Sequence, residues 1–240
     1  MKIFVFGDSF SQPYGNPNFK RLHWSNHLGI ALDCEIKMFA KCGSTNENIL
    51  HALIREYDNI SNDDIVILNL SGQGRINLGP DSHMVWYRDR MVGVDINTHR
   101  FRDIKYDIVK EWYNTYHLPT IVKDDPNINS IIHLCNRLGK RVKDVILWNL
   151  SQLGFDDLDV NENDNVITSP NIPHSDLWTK SSEGGKRGWA SILKEKDLTI
   201  SENDGHPNAY GYAYIAEEFL ERIDDTKSLD RSWADEPTLI

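Results

Sequence analysis

The strongest constraint on the fold is the stretch Asp64-Ile-Val-Ile-Leu-Asn-Leu70. It is an apolar, β-branched run, too short for a buried helix and without the strict alternation of a strand wetted on one side. Such a run reads as a strand covered on both faces, the signature of a parallel sheet. Three further stretches fit the same template: residues 2–6 (KIFVF), Ile36 to Ala40, and Val142 to Leu150 (VKDVILWNL). Between them lie patterns of helical period. Trp24, Leu28, Ala31 and Leu32 form one stripe, and Ile49, Leu50, Leu53 and Ile54 another, capped by Thr45 or Asn46. Ile128, Ile131, Ile132, Cys135 and Leu138 form a third, stopped by Gly139. Pro207 to Ile223 reads as an amphipathic closing helix with proline in its first turn. Strands that alternate with helices predict an α/β chain with a doubly wound parallel sheet, because each parallel crossover needs a helix to bring the chain back.

A single α/β domain is expected over 1–223, with irregular insertions at about 76–126 and 152–200 and a polar tail over 224–240 that Trp233 helps to order. The first insertion is dense in aromatics and arginine; the second is rich in Asp, Asn, Ser and Gly. Neither has the composition of a separate core. With 40% hydrophobic residues in 240, the chain can bury a full core. Its formal charge of −10 argues against a broad nucleic-acid or anionic-membrane footprint. No apolar stretch approaches the ~20 residues that span a bilayer, and MKIFVFG is too short for a signal sequence. Cys34, Cys42 and Cys135 are odd in number and widely spaced, which reads as reduced thiols in a cytoplasmic protein. The histidines form no HxH or HExxH pattern, so neither a metal nor another cofactor is expected.

Polar turns cluster where the presumptive strands end: Gly7-Asp8-Ser9, Cys42-Gly43-Ser44 and Ser71-Gly72-Gln73-Gly74-Arg75. The C-terminal edge of an open parallel sheet is where such folds bind ligands. A fourth polar stretch, Asn203-Asp204-Gly205-His206-Pro207-Asn208, precedes the last helix. A serine after a first strand can be a helix cap, a phosphate ligand or a nucleophile. With a histidine arriving on the same rim the third role gains weight, since imidazole removes the hydroxyl proton and a carboxylate steadies the ring. The plainer readings are a turn serine at 9, a capping His-Pro-Asn at 206–208, a loop amide at Gln73 and an ion-pairing Arg75. Asp8 reads as a brace for the turn rather than a reacting group.

The order GDS at a strand end, glycine in the second turn, and a late DGHPN resembles the SGNH (GDSL) hydrolases over most of 1–75 and 200–223. The resemblance implies a flavodoxin-like three-layer α/β/α sandwich around a central parallel sheet. It also implies a serine esterase without cofactors, acting on a small-molecule or glycan ester. Carried onto this chain, Ser9 becomes the nucleophile, His206 the base, and the N–H groups of Ser9 and Gly43 the oxyanion donors. Two positions depart from the family pattern. Gln73 and Arg75 stand where the family places a Gly-x-Asn-Asp block; some phage-borne members look similar in having an arginine after the third strand and a closing DGHPN. Asp204 lies two residues before His206, with Asn203 in the usual acid position, so Asp204 is the expected orienting acid and Asn203 the fallback. An O-acyltransferase and a non-catalytic glycan- or protein-binding module are the alternatives on the same scaffold. Aromatics at Trp86, Tyr87, Trp112, Tyr113 and Tyr116 read as a cover for the core or a lid, with a sugar-stacking wall as the alternative. That aromatic content and the habit of the resembled family make an acetylated carbohydrate the expected substrate class.

Overall fold

The structure is a computed structural model that describes residues 1–13, 21–71, 76–79, 82–87, 90–95, 101–103, 126–149, 179–180, 186–187, 189–201 and 204–232. Between 76 and 103, at 179–191, and at 126, 149 and 204, it describes the backbone course alone.

Four parallel strands make the central sheet: β1 (Lys2–Phe6), β2 (Glu35–Met38), β3 (Ile65–Leu70) and, numbering onward along the chain, β8 (Asp144–Asn149). Their spatial order is β2-β1-β3-β8. The chain builds outward from β1 in one direction and then in the other, which is the doubly wound order with its switch point between β1 and β3. In register, Phe6 lies opposite Leu68 and Leu70 opposite Asn149, so the chain leaves β1 and β3 at the same edge of the sheet.

Strand alternation sorts the apolar residues into two cores. Ile3, Val5, Ile65, Ile67, Ile146 and Trp148 face α1 (Trp24–Leu32) and α5 (Ala209–Ile223), meeting Trp24, Leu28, Ile215 and Phe219. Phe4, Phe6, Val66, Leu68, Val145 and Leu147 face α2 (Asn46–Glu56) and α3 (Pro126–Leu138), meeting Ile49, Leu53, Ile131 and Cys135. The molecule thus has the parallel sheet expected from the alternating pattern, in the three-layer α/β/α arrangement that the resemblance implies. Burying each such aliphatic or aromatic side chain contributes about 1.5–3 kcal/mol, so these two layers dominate the stability of the sheet. At the far end of α5, Arg222 donates to both carboxylate oxygens of Asp144 at 2.9 and 3.0 Å, tying the last helix to the start of β8.

Three expectations change. Residues 76–103, expected to be irregular, hold an antiparallel meander of β4 (Ile76–Gly79), β5 (Ser82–Tyr87), β6 (Arg90–Asp95) and β7 (Phe101–Asp103). Main-chain pairing forms it, with Trp86 opposite Met91 and Tyr87 opposite Arg90, where the mixture of Arg and aromatic side chains had masked the two-residue period. Residues 104–125 lie outside the described residues, as does most of the 152–200 segment. That segment contributes the short pair β9 (Thr179–Lys180) and β10 (Lys186–Arg187), then α4 (Trp189–Glu195) and β11 (Thr199–Ser201). Pro207 does not open the last helix. It ends β12 (Asp204–Pro207), and Asn208 is the N-cap, its Oδ1 accepting from Gly211 N at 2.9 Å. Thr45 caps α2 by accepting from Asn48 N, which leaves the Asn46 side chain for another task. The tail is anchored as far as it is described: Leu229 packs on the α1/α5 core and Arg231 pairs with Glu217. Trp233 lies outside the described residues.

Candidate active site

The chain leaves β1 through Gly7, whose φ of 153° is open to glycine and hostile to other residues. Space imposes the same choice, because a Cβ here would lie 2.6 Å from Ser11 Oγ and 2.9 Å from Asn69 Cβ. The next residue, Asp8, is fully buried. Its Oδ1 accepts from Asn69 Nδ2 at 2.9 Å and from Phe10 N at 3.1 Å, and its carbonyl accepts from Ser11 N and Gln12 N. Asp8 therefore nails the turn to β3, the bracing role expected of it. Ser9 rides on that turn with only 6% of its surface exposed.

His206 comes to Ser9 from the other end of the chain. β12 pairs antiparallel with β11, Thr199 opposite Pro207 and Ser201 opposite Asp204. Immediately after it, Asn208 Nδ2 donates to the carbonyls of Asp197 and Thr199, and Asn208 N donates to Leu198 O. The first turn of α5 is pressed against Leu198, whose carbonyl would lie 2.2 Å from a Cβ on Gly211. With β12 so fixed, His206 Nε2 lies 2.9 Å from Ser9 Oγ, across 197 positions of sequence. For the Ser9 hydroxyl to donate to Nε2, the ring must carry its hydrogen on Nδ1. Phe10 stacks on the same imidazole, ring centroids 4.3 Å apart and planes 19° from parallel.

The second turn is stitched to the first. Lys41 N donates to Gly7 O at 3.1 Å, and Cys42 N donates to the Gln12 side-chain oxygen. These two bonds carry Gly43, at φ 75°, to the nucleophile turn. Among the described residues, the Ser9 and Gly43 N–H groups have no acceptor, while those of Phe10, Ser11, Gln12, Cys42 and Ser44 do. A backbone N–H without an acceptor is the kind of donor that an anionic oxygen accepts from.

The third turn begins at Ser71, whose N–H donates to Asn46 Oδ1 at 2.9 Å and whose carbonyl accepts from Asn46 Nδ2 at 3.1 Å. Gln73 and Arg75, just beyond, lie outside the described residues, as does Asn203. Asp204 is described by its backbone: it occupies β12 two positions before His206, the interval at which a strand repeats its face. Sequence reasoning missed Phe10, Gln12, Asn46 and Asn69. A pair of buried asparagines at a strand end and a helix start was the available signal for two of them.

Beneath the site, His23 is wholly buried and its imidazole is pushed down to about 3. Burial is the main cause; the Phe10 carbonyl opposes it and nearby His27 reinforces it. Cys135 is buried and pushed up to about 12, an inert thiol in the α3 layer. Among the described residues no group of His, Cys, Asp and Glu is arranged to hold a metal ion, and no helix is long and apolar enough to cross a membrane.

No protein-family model and no curated protein sequence matches the chain. Among solved structures it is similar to a G-D-S-L family protein from Desulfitobacterium hafniense DCB-2, at 16% identity and a TM-score of 0.41, over 92% of this chain and 98% of that one. It is also similar to a member of the lipolytic protein G-D-S-L family from Veillonella parvula DSM 2008, at 14% identity and a TM-score of 0.47, over 92% of this chain and 96% of that one.

Proposed function

We propose that the chain is a serine ester hydrolase of the SGNH type, with Ser9 as nucleophile and His206 as general base. One observation carries the reading: Ser9 Oγ and His206 Nε2 are within hydrogen-bond distance, 2.9 Å, although they begin and end the fold. Ser9 Oγ attacks the acyl carbonyl while Nε2 takes the hydroxyl proton. The carbonyl oxygen becomes an oxyanion that accepts from the Ser9 and Gly43 N–H groups, each such donor contributing about 3 kcal/mol to the transition state. The tetrahedral adduct collapses as the alkoxide leaves and takes the proton from His206. Water, deprotonated by the same imidazole, then releases the acid from Ser9. Asp204 is the residue assigned to hold the ring and offset its transient charge, and Gln73 and Arg75 are assigned to the oxyanion or to substrate. Acetylated carbohydrate is the substrate class that suits the aromatic content of 86–116.

The test is hydrolysis of short p-nitrophenyl acyl esters by the wild type and by Ser9→Ala, with mass spectrometry after a fluorophosphonate. Ser9→Ala should lower kcat by at least about 10³-fold, and the phosphonate should modify Ser9 alone. Ester hydrolysis that survives the substitution removes the proposal.

A further inference from the structure

We propose that Phe10 is a positioning residue for His206: its ring holds the plane of the imidazole so that Nε2 stays on Ser9. The inference rests on the reading of Ser9 and His206 as nucleophile and base.

Residue 10 is fixed from both sides along the backbone. Its N–H donates to the buried Asp8 carboxylate at 3.1 Å, and its carbonyl accepts from Trp24 Nε1 at 3.1 Å. Trp24 itself cannot shift, being fully buried and wedged edge-on against Trp148 and Phe219, with ring centroids 5.8 and 5.2 Å away. The Phe10 side chain is thereby held at the edge of the α1/α5 core, against which it packs, and its ring stacks on His206. Rotation about its Cβ–Cγ bond would swing the His206 ring and carry Nε2 off Ser9 Oγ. A stack at 4.3 Å and 19° removes that rotation, because turning the ring out of plane drives its edge into the phenyl face.

This contact has a consequence a leucine could not reproduce. The nucleophile and the surface that aligns its base are adjacent residues on one braced turn, so any small movement of the turn carries both together. The phenyl face also attracts the imidazolium that forms while Ser9 is being acylated. Misplacement of a catalytic group by about 1 Å costs on the order of 10²-fold in rate. A side chain that merely filled core volume would not affect rate on that scale.

The experiment compares wild type, Phe10→Leu and Phe10→Tyr by kcat and KM on p-nitrophenyl acetate, by thermal unfolding, and by NMR of the ¹⁵N-labelled His206 ring. Phe10→Leu should lose about 10- to 100-fold in kcat with KM little changed, and its ring nitrogens should report two averaging tautomers. Phe10→Tyr, which keeps the aromatic face, should restore kcat to within a few-fold and show one tautomer. The proposal is overturned if Phe10→Leu keeps its kcat and a single tautomer, or if Tyr and Leu lose activity alike in step with their loss of stability. Failure of the underlying reading looks different: Ser9→Ala would then retain hydrolysis whatever stands at residue 10. The ring NMR decides the positioning question even for a substrate the enzyme turns over slowly.

Discussion

His23 makes the stability of this protein depend on pH in a way that can be isolated. The ring is completely buried at the start of α1, 4.8 Å from the Tyr212 ring of α5. Its Nδ1 accepts from Ser25 N at 3.3 Å and lies 2.8 Å from Ser25 Oγ, which makes it the N-cap of the helix. Burial holds the imidazole down to about 3, against 6.5 for an exposed histidine. Between those values the unfolded chain binds a proton that the folded chain refuses, so unfolding is favoured as pH falls. The stabilising effect is complete above pH 6.5 and shrinks toward pH 3, by up to about 1.4 kcal/mol per pH unit. Two units below 6.5 the loss is about 3 kcal/mol, equivalent to roughly 6–12 °C in Tm for a chain of this size. Protonation would also turn Nδ1 from acceptor to donor, so it deprives Ser25 N of its cap.

The comparison is with His23→Asn, which keeps a capping acceptor but has no proton to bind near neutrality. His27 beside it is also held low, by its own burial and against the pull of Asp230 and Glu217, but it is present in both proteins and largely cancels. Melting curves from pH 7.5 to 4.5 should therefore converge. Wild type should be the more stable at neutral pH, and its advantage should narrow by about 1 kcal/mol or more per unit below 6.5. Parallel curves would refute the argument, since they mean that the buried ring accepts its proton without loss.

Two further substitutions test how the turns are built. Gly7→Ala forces a Cβ to within 2.6 Å of Ser11 Oγ at φ 153°, and strain together with overpacking should cost roughly 3 kcal/mol or more in denaturant unfolding; a change below about 1 kcal/mol would mean that the β1–β3 approach is looser than described. Asn46→Ala leaves the N–H and carbonyl of buried Ser71 without their partner, an expected loss of about 2–4 kcal/mol by the same measurement, and a neutral outcome would show that water replaces the amide.

The central sheet was legible because burial on both faces leaves a plain mark. Asp64 to Leu70 has no polar alternation to confuse it, and its neighbours Phe4 and Ile146 belong to runs of the same kind. The 76–103 meander was not legible, because main-chain pairing imposes no side-chain pattern of its own and, in the sequence, Arg88 and Arg90 interrupt the apolar alternation between Tyr87 and Met91. Thr45 and Asn46 illustrate a different limit. Either can cap a helix, and what separates them is a partner 25 residues away, Ser71, that no local pattern reveals. Pro207 fits a helix start equally well, but the pairing of β12 with β11 holds it in extended backbone and passes the cap to Asn208.

The site divides along the same line. Ser9 and His206 could be suspected because each stands in a turn whose polar residues have no business at the end of an apolar strand. Phe10 and Gln12 could not, because a phenylalanine after a turn reads as core and a glutamine as solvent-facing; Asn69 left only the faint mark of an asparagine inside an apolar strand. Their roles exist only once β1 lies beside β3 and the chain's last helix lies across α1. This dependence explains why the bracing is so dense. The Ser9–His206 contact closes a loop of 197 positions, and one hydrogen bond contributes only about 1 kcal/mol net. It cannot hold the two ends of the chain together by itself. Asp8, Asn69 and Trp24 hold the serine side, and Asn208, Leu198 and the Arg222–Asp144 pair hold the histidine side. The reacting pair is thus delivered to its geometry by two separately anchored turns, and Phe10 joins Ser9 in touching the imidazole from the serine's own turn.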